Sequence, residues 1–395
     1  MPRHYKRDRD RKRGRERGAQ LDLFAALSGD QPPTPADLPP DPDPDQKEIT
    51  LTPDSVRPQD PPPATGGDAD GGQAPPPPSP RPAPRKAPDS GRLHQLAERV
   101  NAAWHDAQRG NRHHQTASHI EIPLGVVAAL TQIRQADPKG PDLAAQIIDL
   151  DGPGLLSMYR QIWAIQWITN PYLINAARPL AEWLDEPDDP DPATVEAVRH
   201  VTATALHAGL LDFTGNPDPH WRCETDVLGR VLVELRSSGA SASLAEIHTP
   251  QELANAMAAL TMPVDELLAA ELERGTGPGG IHDPAAGTGG LLRAAAWALR
   301  NQGIEPSRFA WAATDIDPIA AACCAVNALV WDLGPDVLVH CGNTLTEPDG
   351  IKRERLRRKE IFALRSELMD GARMLAAYRR AMSLLEGTVS GRDCP

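Results

Sequence analysis

Four positions in the middle of the 395-residue chain combine residue types able to hold a small polar ligand: Asp283, the turn Gly287-Thr288-Gly289-Gly290, Asp315 and Asn343. A glycine-rich turn at the start of a helix permits a tight bend and lets a ligand approach the backbone. A third glycine three residues after Gly289 would complete a dinucleotide fingerprint, but Leu292 stands there, and no Gly-Lys-Ser or Gly-Lys-Thr completes a phosphate loop. Asp315 lies 28 residues after Gly287, where a carboxylate can accept both hydroxyls of a ribose. The Asn343 amide can meet an adenine edge or cap a turn. Together these residues favour a nucleoside-containing ligand without an anionic phosphate.

The elements that must position them read strand, helix, strand, helix, strand over residues 281–345. That alternation predicts a parallel sheet with crossover helices and a ligand crevice at the carboxyl ends of the strands. Asp317, followed by Pro318, is expected to start the second helix. Upstream, apolar spacing behind Ser90 (Leu93, Leu96, Ala97, Val100, Ala103, Trp104, Ala107) starts a helical region, with further helices near 122–134, 154–169, 172–184 and 193–208. Tyr159, Trp163 and Trp167 recur every four residues and fit a helical core better than a base-stacking surface. His113, His114 and His119 sit in a polar stretch without acidic or thiol partners, which favours a loop over a metal site.

The charge is uneven. Lys and Arg number 41 against 54 Asp and Glu, a net charge of −13, yet residues 1–20 alone hold nine basic and three acidic residues. A basic arm of this kind is expected to be disordered and suits contact with nucleic acid. Residues 31–90 hold 20 of the 41 prolines, too little apolar surface for a core, and read as an extended linker. The five cysteines form no Cys-x-x-Cys pair, so neither a disulfide framework nor zinc is expected. Without an eighteen-residue apolar run or a signal-like N-terminus, a cytoplasmic protein without membrane partners is expected.

Asp283-Pro-Ala-Ala-Gly-Thr-Gly-Gly290 resembles the S-adenosylmethionine motif of the N-6 adenine DNA methylases, the family of type I restriction-modification modification subunits. Asp226-Val-Leu-Gly-Arg230 and His248-Thr-Pro-Gln-Glu-Leu253 resemble its lead-in, Thr314-Asp-Ile-Asp-Pro318 with Asn327 its second motif, and Gly342-Asn-Thr-Leu345 its third. The resemblance implies a class I methyltransferase fold, S-adenosylmethionine as cofactor, and methylation of the adenine amino group in DNA. It implies that Thr249, Asp283, Ala285, Gly287 and Gly289 line the methionine part, that Asp315 holds the ribose and that Asn343 approaches the adenine ring. The chain departs from the family at His248, usually aromatic, at Ala286, usually cysteine, and at Asn343, usually aspartate. The family's catalytic Asn-Pro-Pro-Tyr/Phe is not found; Asn170-Pro171-Tyr172 lies too early and Asn216-Pro217-Asp218 lacks the aromatic. The catalytic residues are therefore unassigned.

The expected organisation is mixed: a disordered arm and linker (1–91), a helical domain (92–245), a partial α/β Rossmann-like methyltransferase domain (246–348) and a basic amphipathic C-terminal helix (349–395). Only three strands are expected where the family has about seven, so the C-terminal helix or another chain must cover the place of a fourth. The expected function is adenine DNA methylation, with a partner subunit supplying catalysis and sequence specificity or with the catalytic half lost by truncation. The alternatives are a non-catalytic DNA-associated scaffold and methylation of a protein or small molecule. Gln20-Leu21-Asp22-Leu23-Phe24 resembles the bacterial sliding-clamp-binding pentapeptide, which implies a sliding clamp as a further partner.

Overall fold

The structure, a computed structural model, describes residues 90–108, 119–135, 140, 142–185, 190–236, 249–261 and 280–389, with side chains to 380. The basic arm, the linker, the clamp-like pentapeptide, His113, His114, His248 and Cys394 lie outside the described residues.

The first helix, α1 (Ser90–Gln108), buries the predicted row Leu93, Leu96, Ala97, Val100, Ala103 and Trp104. It is followed by α2 (Glu121–Leu130), α3 (Leu143–Ile148), α4 (Gly152–Thr169), α5 (Pro171–Ala176), α6 (Pro192–His207), α7 (Leu210–Thr214), α8 (Pro219–Arg222) and α9 (Val227–Leu235). Many begin on an aspartate whose carboxylate accepts N–H groups of the first turn: Asp142, Asp151, Asp191, Asp218 and Asp226. Part of the acidic composition is thus spent on helix starts, where the macrodipole also favours negative charge.

The helix expected over 172–184 is shorter. It stops at Ala176 and continues as two 3₁₀ turns, Arg178–Leu180 and Glu182–Leu184. Pro179 lacks the N–H that an α-helix would need there. Gly125 of α2 packs directly on this turn, because a Cβ at Gly125 would fall 1.9 Å from the Leu180 carbonyl oxygen. Tyr159 and Trp163 are buried in the core, with Trp167 packed at its margin.

Then follow α10 (Gln251–Thr261), β1 (Gly280–Asp283), α11 (Gly290–Asn301), β2 (Ala310–Asp315), α12 (Pro318–Val330), β3 (Val337–Cys341) and α13 (Gly350–Val389). The three strands are parallel in the order β1-β2-β3, with Asp283 beside Ala313 and Asp315 beside Cys341. Val337 to His340 are all buried, as expected of a parallel strand covered on both faces. One hydrophobic cluster runs from Leu93 through Trp104, Tyr159 and Leu232 to Trp311 and Val339, joining helices and sheet.

The outer edge of β3 is closed by a side chain. The Tyr172 hydroxyl accepts the Val339 N–H at 3.0 Å and lies 3.1 Å from Glu354 Oε2 on α13. The C-terminal helix packs on β3, β2 and α5. Beyond β1, where Gly280 and His282 are exposed, no further strand stands among the described residues. None of the described helices is long and apolar enough to cross a membrane.

Candidate functional site

The loops after the three strands are tied into one surface. Ala286 N donates to Thr314 O at 2.9 Å, Gly342 N to Asp315 O at 2.8 Å, and Thr344 Oγ1 to Pro284 O at 2.6 Å. Asp315 lies at the centre: its Oδ2 accepts from Gly287 N at 2.6 Å and its Oδ1 from Asp317 N at 2.9 Å. Asp317 starts α12 as expected, accepting from Ile319 N and Ala320 N, and it also pairs with Arg236.

A second brace comes from the helical side. Asp226 Oδ2 accepts from Thr288 Oγ1 at 2.6 Å, and its Oδ1 accepts from Asn327 Nδ2 at 2.9 Å. Asn327 Nδ2 also donates to Thr288 O at 2.9 Å. The start of α9, the glycine turn and α12 thus meet at one carboxylate. Asn327 is buried, so its amide needs these partners. Arg293 of α11 donates to Cys223 O and to Asn255 Oδ1, which ties α10 and the segment after α8 to α11.

In front of the turn is a cavity of about 660 Å³, within the size range of small-molecule sites. Thr249, Asp283, Ala285 and Gly287 line it, brought together from α10's lead-in and the β1 loop. Gly287 has φ +54°, and nothing lies within 4 Å of where its Cβ would be, so the backbone is open to a ligand. The other predicted residues are placed differently. Gly289, at φ +92°, packs on α12, where a Cβ would stand 3.1 Å from Cys324 Sγ and from Trp331 Cζ3. Asp315 and Asn343 lie outside the cavity lining; Asn343 Oδ1 accepts from Leu345 N at 3.0 Å in a local turn.

Sequence reasoning missed Gln251 and Glu252 as lining residues, and also Ser90 and His94, by which α1 forms a wall of the cavity. No motif marks α1, and only the tertiary fold brings it here. Ile316 and Leu345, apolar yet exposed at the ends of β2 and β3, were also not singled out. Burial pushes the Asp283 carboxyl above its ordinary value, with the Ala285 N–H and His282 opposing and Asp315 adding to the rise.

The two Asn-Pro sequences are structural. Asn170 precedes α5, and Tyr172 is buried against β3. Asn216 Oδ1 accepts from Asp218 N in a turn, and the Asn216 and Pro217 carbonyls hold Arg222. Cys223, Cys323 and Cys324 are buried free thiols and Cys341 is exposed. Among the described residues no cluster able to hold a metal ion forms. His119 instead pairs with Glu121 at 2.6 Å.

Residues 224–358, about a third of the chain, match the family model described as N-6 DNA Methylase. This segment resembles the N-6 DNA methylases. It begins two residues before Asp226 and ends within α13, so the methylase segment takes in both braces of the glycine turn. Among solved structures, the chain aligns with the methyltransferase subunit of a type I restriction-modification system from Streptococcus thermophilus. That likeness has a TM-score of 0.35 and 12% identity, and covers 65% of this chain and 59% of that one. No curated protein matches the chain.

Proposed function

We propose that the methylase segment binds S-adenosylmethionine in the cavity before Gly287 and serves methylation of the adenine amino group in DNA. The observation that carries this reading is the convergence of Thr249, Asp283, Ala285 and Gly287 on one cavity at the carboxyl end of β1, where ligands of open α/β sheets bind. The donor set fits the cofactor's chemistry. Asp226, Glu252 and Asp283 border the cavity and suit a ligand that carries a sulfonium and an ammonium.

Bound S-adenosylmethionine supplies an activated methyl group. The chain's own part is to hold and orient it. Asp283 offers a buried negative charge to the cationic end, and Gly287 lets the backbone come close. Each Asp315 oxygen accepts one backbone N–H and retains a lone pair, so the carboxylate can still receive ribose hydroxyls. Ile316 and Leu345 offer exposed apolar surface to a ring beside it.

The chemistry on DNA calls for groups beyond those the described residues offer. Both Asn-Pro sequences among the described residues are committed to packing or turns, so positioning of the target amine falls to residues from elsewhere. A specificity subunit and the basic arm would supply DNA contact, and a sliding clamp would engage Gln20-Leu21-Asp22-Leu23-Phe24. A cytoplasmic setting accords with this role.

The test is calorimetric titration of S-adenosylmethionine into the full chain, with Asp283→Asn as control. Saturable binding weakened in the variant is expected. A folded protein that takes up no ligand at millimolar concentration would overturn the reading.

A further inference from the structure

His340 ends the buried run of β3, after Val337, Leu338 and Val339, and is its one titratable member. It is 5% exposed, and neither ring nitrogen has a hydrogen-bond partner among the described residues. Each nitrogen instead faces a carboxylate. Nε2 lies 3.6 Å from Glu347 Oε2 in the loop after β3, and Nδ1 lies 3.6 Å from Glu354 Oε1 on α13. The fold makes room for the ring: a Cβ at Gly342 or at Gly350 would collide with it.

A neutral imidazole has one donor and one acceptor nitrogen, so between two carboxylates it must turn a lone pair toward an anion. An imidazolium offers an N–H to both. The other groups around it do not remove that demand. Glu354 is buried and needs a paired charge, yet exposed Arg357 stands 3.8 Å away, beyond hydrogen-bond reach. Arg353 pairs with Glu347, and Arg358 is engaged with Asp336. The β2 residue in register with His340 is Thr314, which is uncharged. The Tyr172 hydroxyl and the Cys341 thiol are pushed up, chiefly by burial, and stay neutral. The Asn343 N–H, then Arg353 and His340, hold the Glu347 carboxyl below its ordinary value against desolvation.

We propose that His340 is a positioning residue, held as an imidazolium between Glu347 and Glu354, which clamps loop 342–347 to α13 and releases it when the proton is lost. The loop is joined to the candidate site at three points. Glu347 Oε1 accepts the Asn343 N–H at 3.2 Å, Gly342 N donates to Asp315 O, and Thr344 Oγ1 donates to Pro284 O, next to Asp283. One proton therefore bears on both strand-end carboxylates. Its consequence for a ligand rests on the S-adenosylmethionine reading, whereas the clamp itself does not.

Ring-carbon NMR of the full chain, with the His340 resonance assigned through its backbone, tests the clamp. His340 is expected to keep its imidazolium signal at a pH where exposed His200 and His207 have lost theirs. Glu347→Gln, at the more exposed end of the clamp, is expected to bring that pH down. A folded ring that holds its proton longer than the unfolded one stabilises the protein fully in mildly acidic buffer, and that stability is lost as pH rises through the folded value. The native urea midpoint should therefore fall more steeply over this range than that of His340→Gln. Hydrogen exchange at Asn343, taken relative to Trp311, should quicken over the same range in the native protein. All of these readouts are taken without ligand, so they decide the clamp whether or not S-adenosylmethionine binds. A His340 signal that titrates with the exposed histidines, or that Glu347→Gln does not move, overturns the proposal. An imidazolium whose loss leaves Asn343 protection unchanged overturns its hold on the loop.

Discussion

Asp315 at the end of β2 holds the Gly287 N–H at 2.6 Å, so one carboxylate fixes the glycine turn 28 residues before it. Replacing Asp315 with Ala frees two backbone donors, those of Gly287 and Asp317, and hydrogen bonds to a charged group are worth about 1.5–3 kcal/mol each. Asp315→Ala should lower the unfolding midpoint and abolish S-adenosylmethionine binding. Asp315→Asn keeps an acceptor oxygen and should recover most stability but less affinity. Thermal melts and calorimetry on both variants separate the two effects; equal behaviour of Ala, Asn and native protein would sink this account.

The two adjacent glycines should respond oppositely. Gly289→Ala forces a side chain to φ +92° and into Cys324 and Trp331, a cost of about 1–3 kcal/mol. Gly290 begins α11 with nothing within 4 Å of its missing Cβ. Gly290→Ala should therefore leave the urea midpoint unchanged or raise it, by up to about 1 kcal/mol.

Acidity should act on binding and on stability in opposite directions through Asp283. Its folded value lies above the ordinary 3.8, so the folded state holds its proton at pH values where the unfolded chain has lost it. Stability from this group is therefore greatest when it is protonated and declines as pH rises through the folded value. Binding of a cationic ligand needs the carboxylate, so affinity should begin to fall on acidification before an ordinary Asp would protonate. Asp283→Asn should flatten both trends, measured by urea midpoints and calorimetry across a series of buffers.

Tyr172→Phe removes the hydroxyl that serves the Val339 N–H and Glu354. The buried Val339 N–H loses this acceptor and Glu354 loses one of several partners, a penalty of about 1–3 kcal/mol. Hydrogen exchange at Val339 should accelerate more than at Trp311 of β2, which faces two strands. Equal protection in the variant would show that α13 alone seals this edge.

The local parts of the fold could be read from the residues themselves. Pro192 and Gly209 bracket α6, Asp317-Pro318 starts α12, and alternation marked β1, β2 and β3, because each depends on backbone propensities within a few residues. Asp226 and Asn327 stood out only through family resemblance. Their holds on Thr288 span 62 and 39 residues of sequence, and their own contact spans 101, which no local pattern encodes. Gly289 likewise looks like a ligand-facing glycine in a motif, whereas its partner is the far side of α12. The wall contributed by Ser90 and His94 has no signature at all, since only the docking of α1 beside α9 brings it to the site.

The meeting of Asp226, Thr288 and Asn327 also dictates a time order. Contacts this far apart in sequence close large loops and form late in folding. During synthesis the glycine turn emerges before Asn327 does, so for that interval the turn lacks one of its braces. The nascent chain therefore becomes competent to hold a ligand only once α12 has been made and docked.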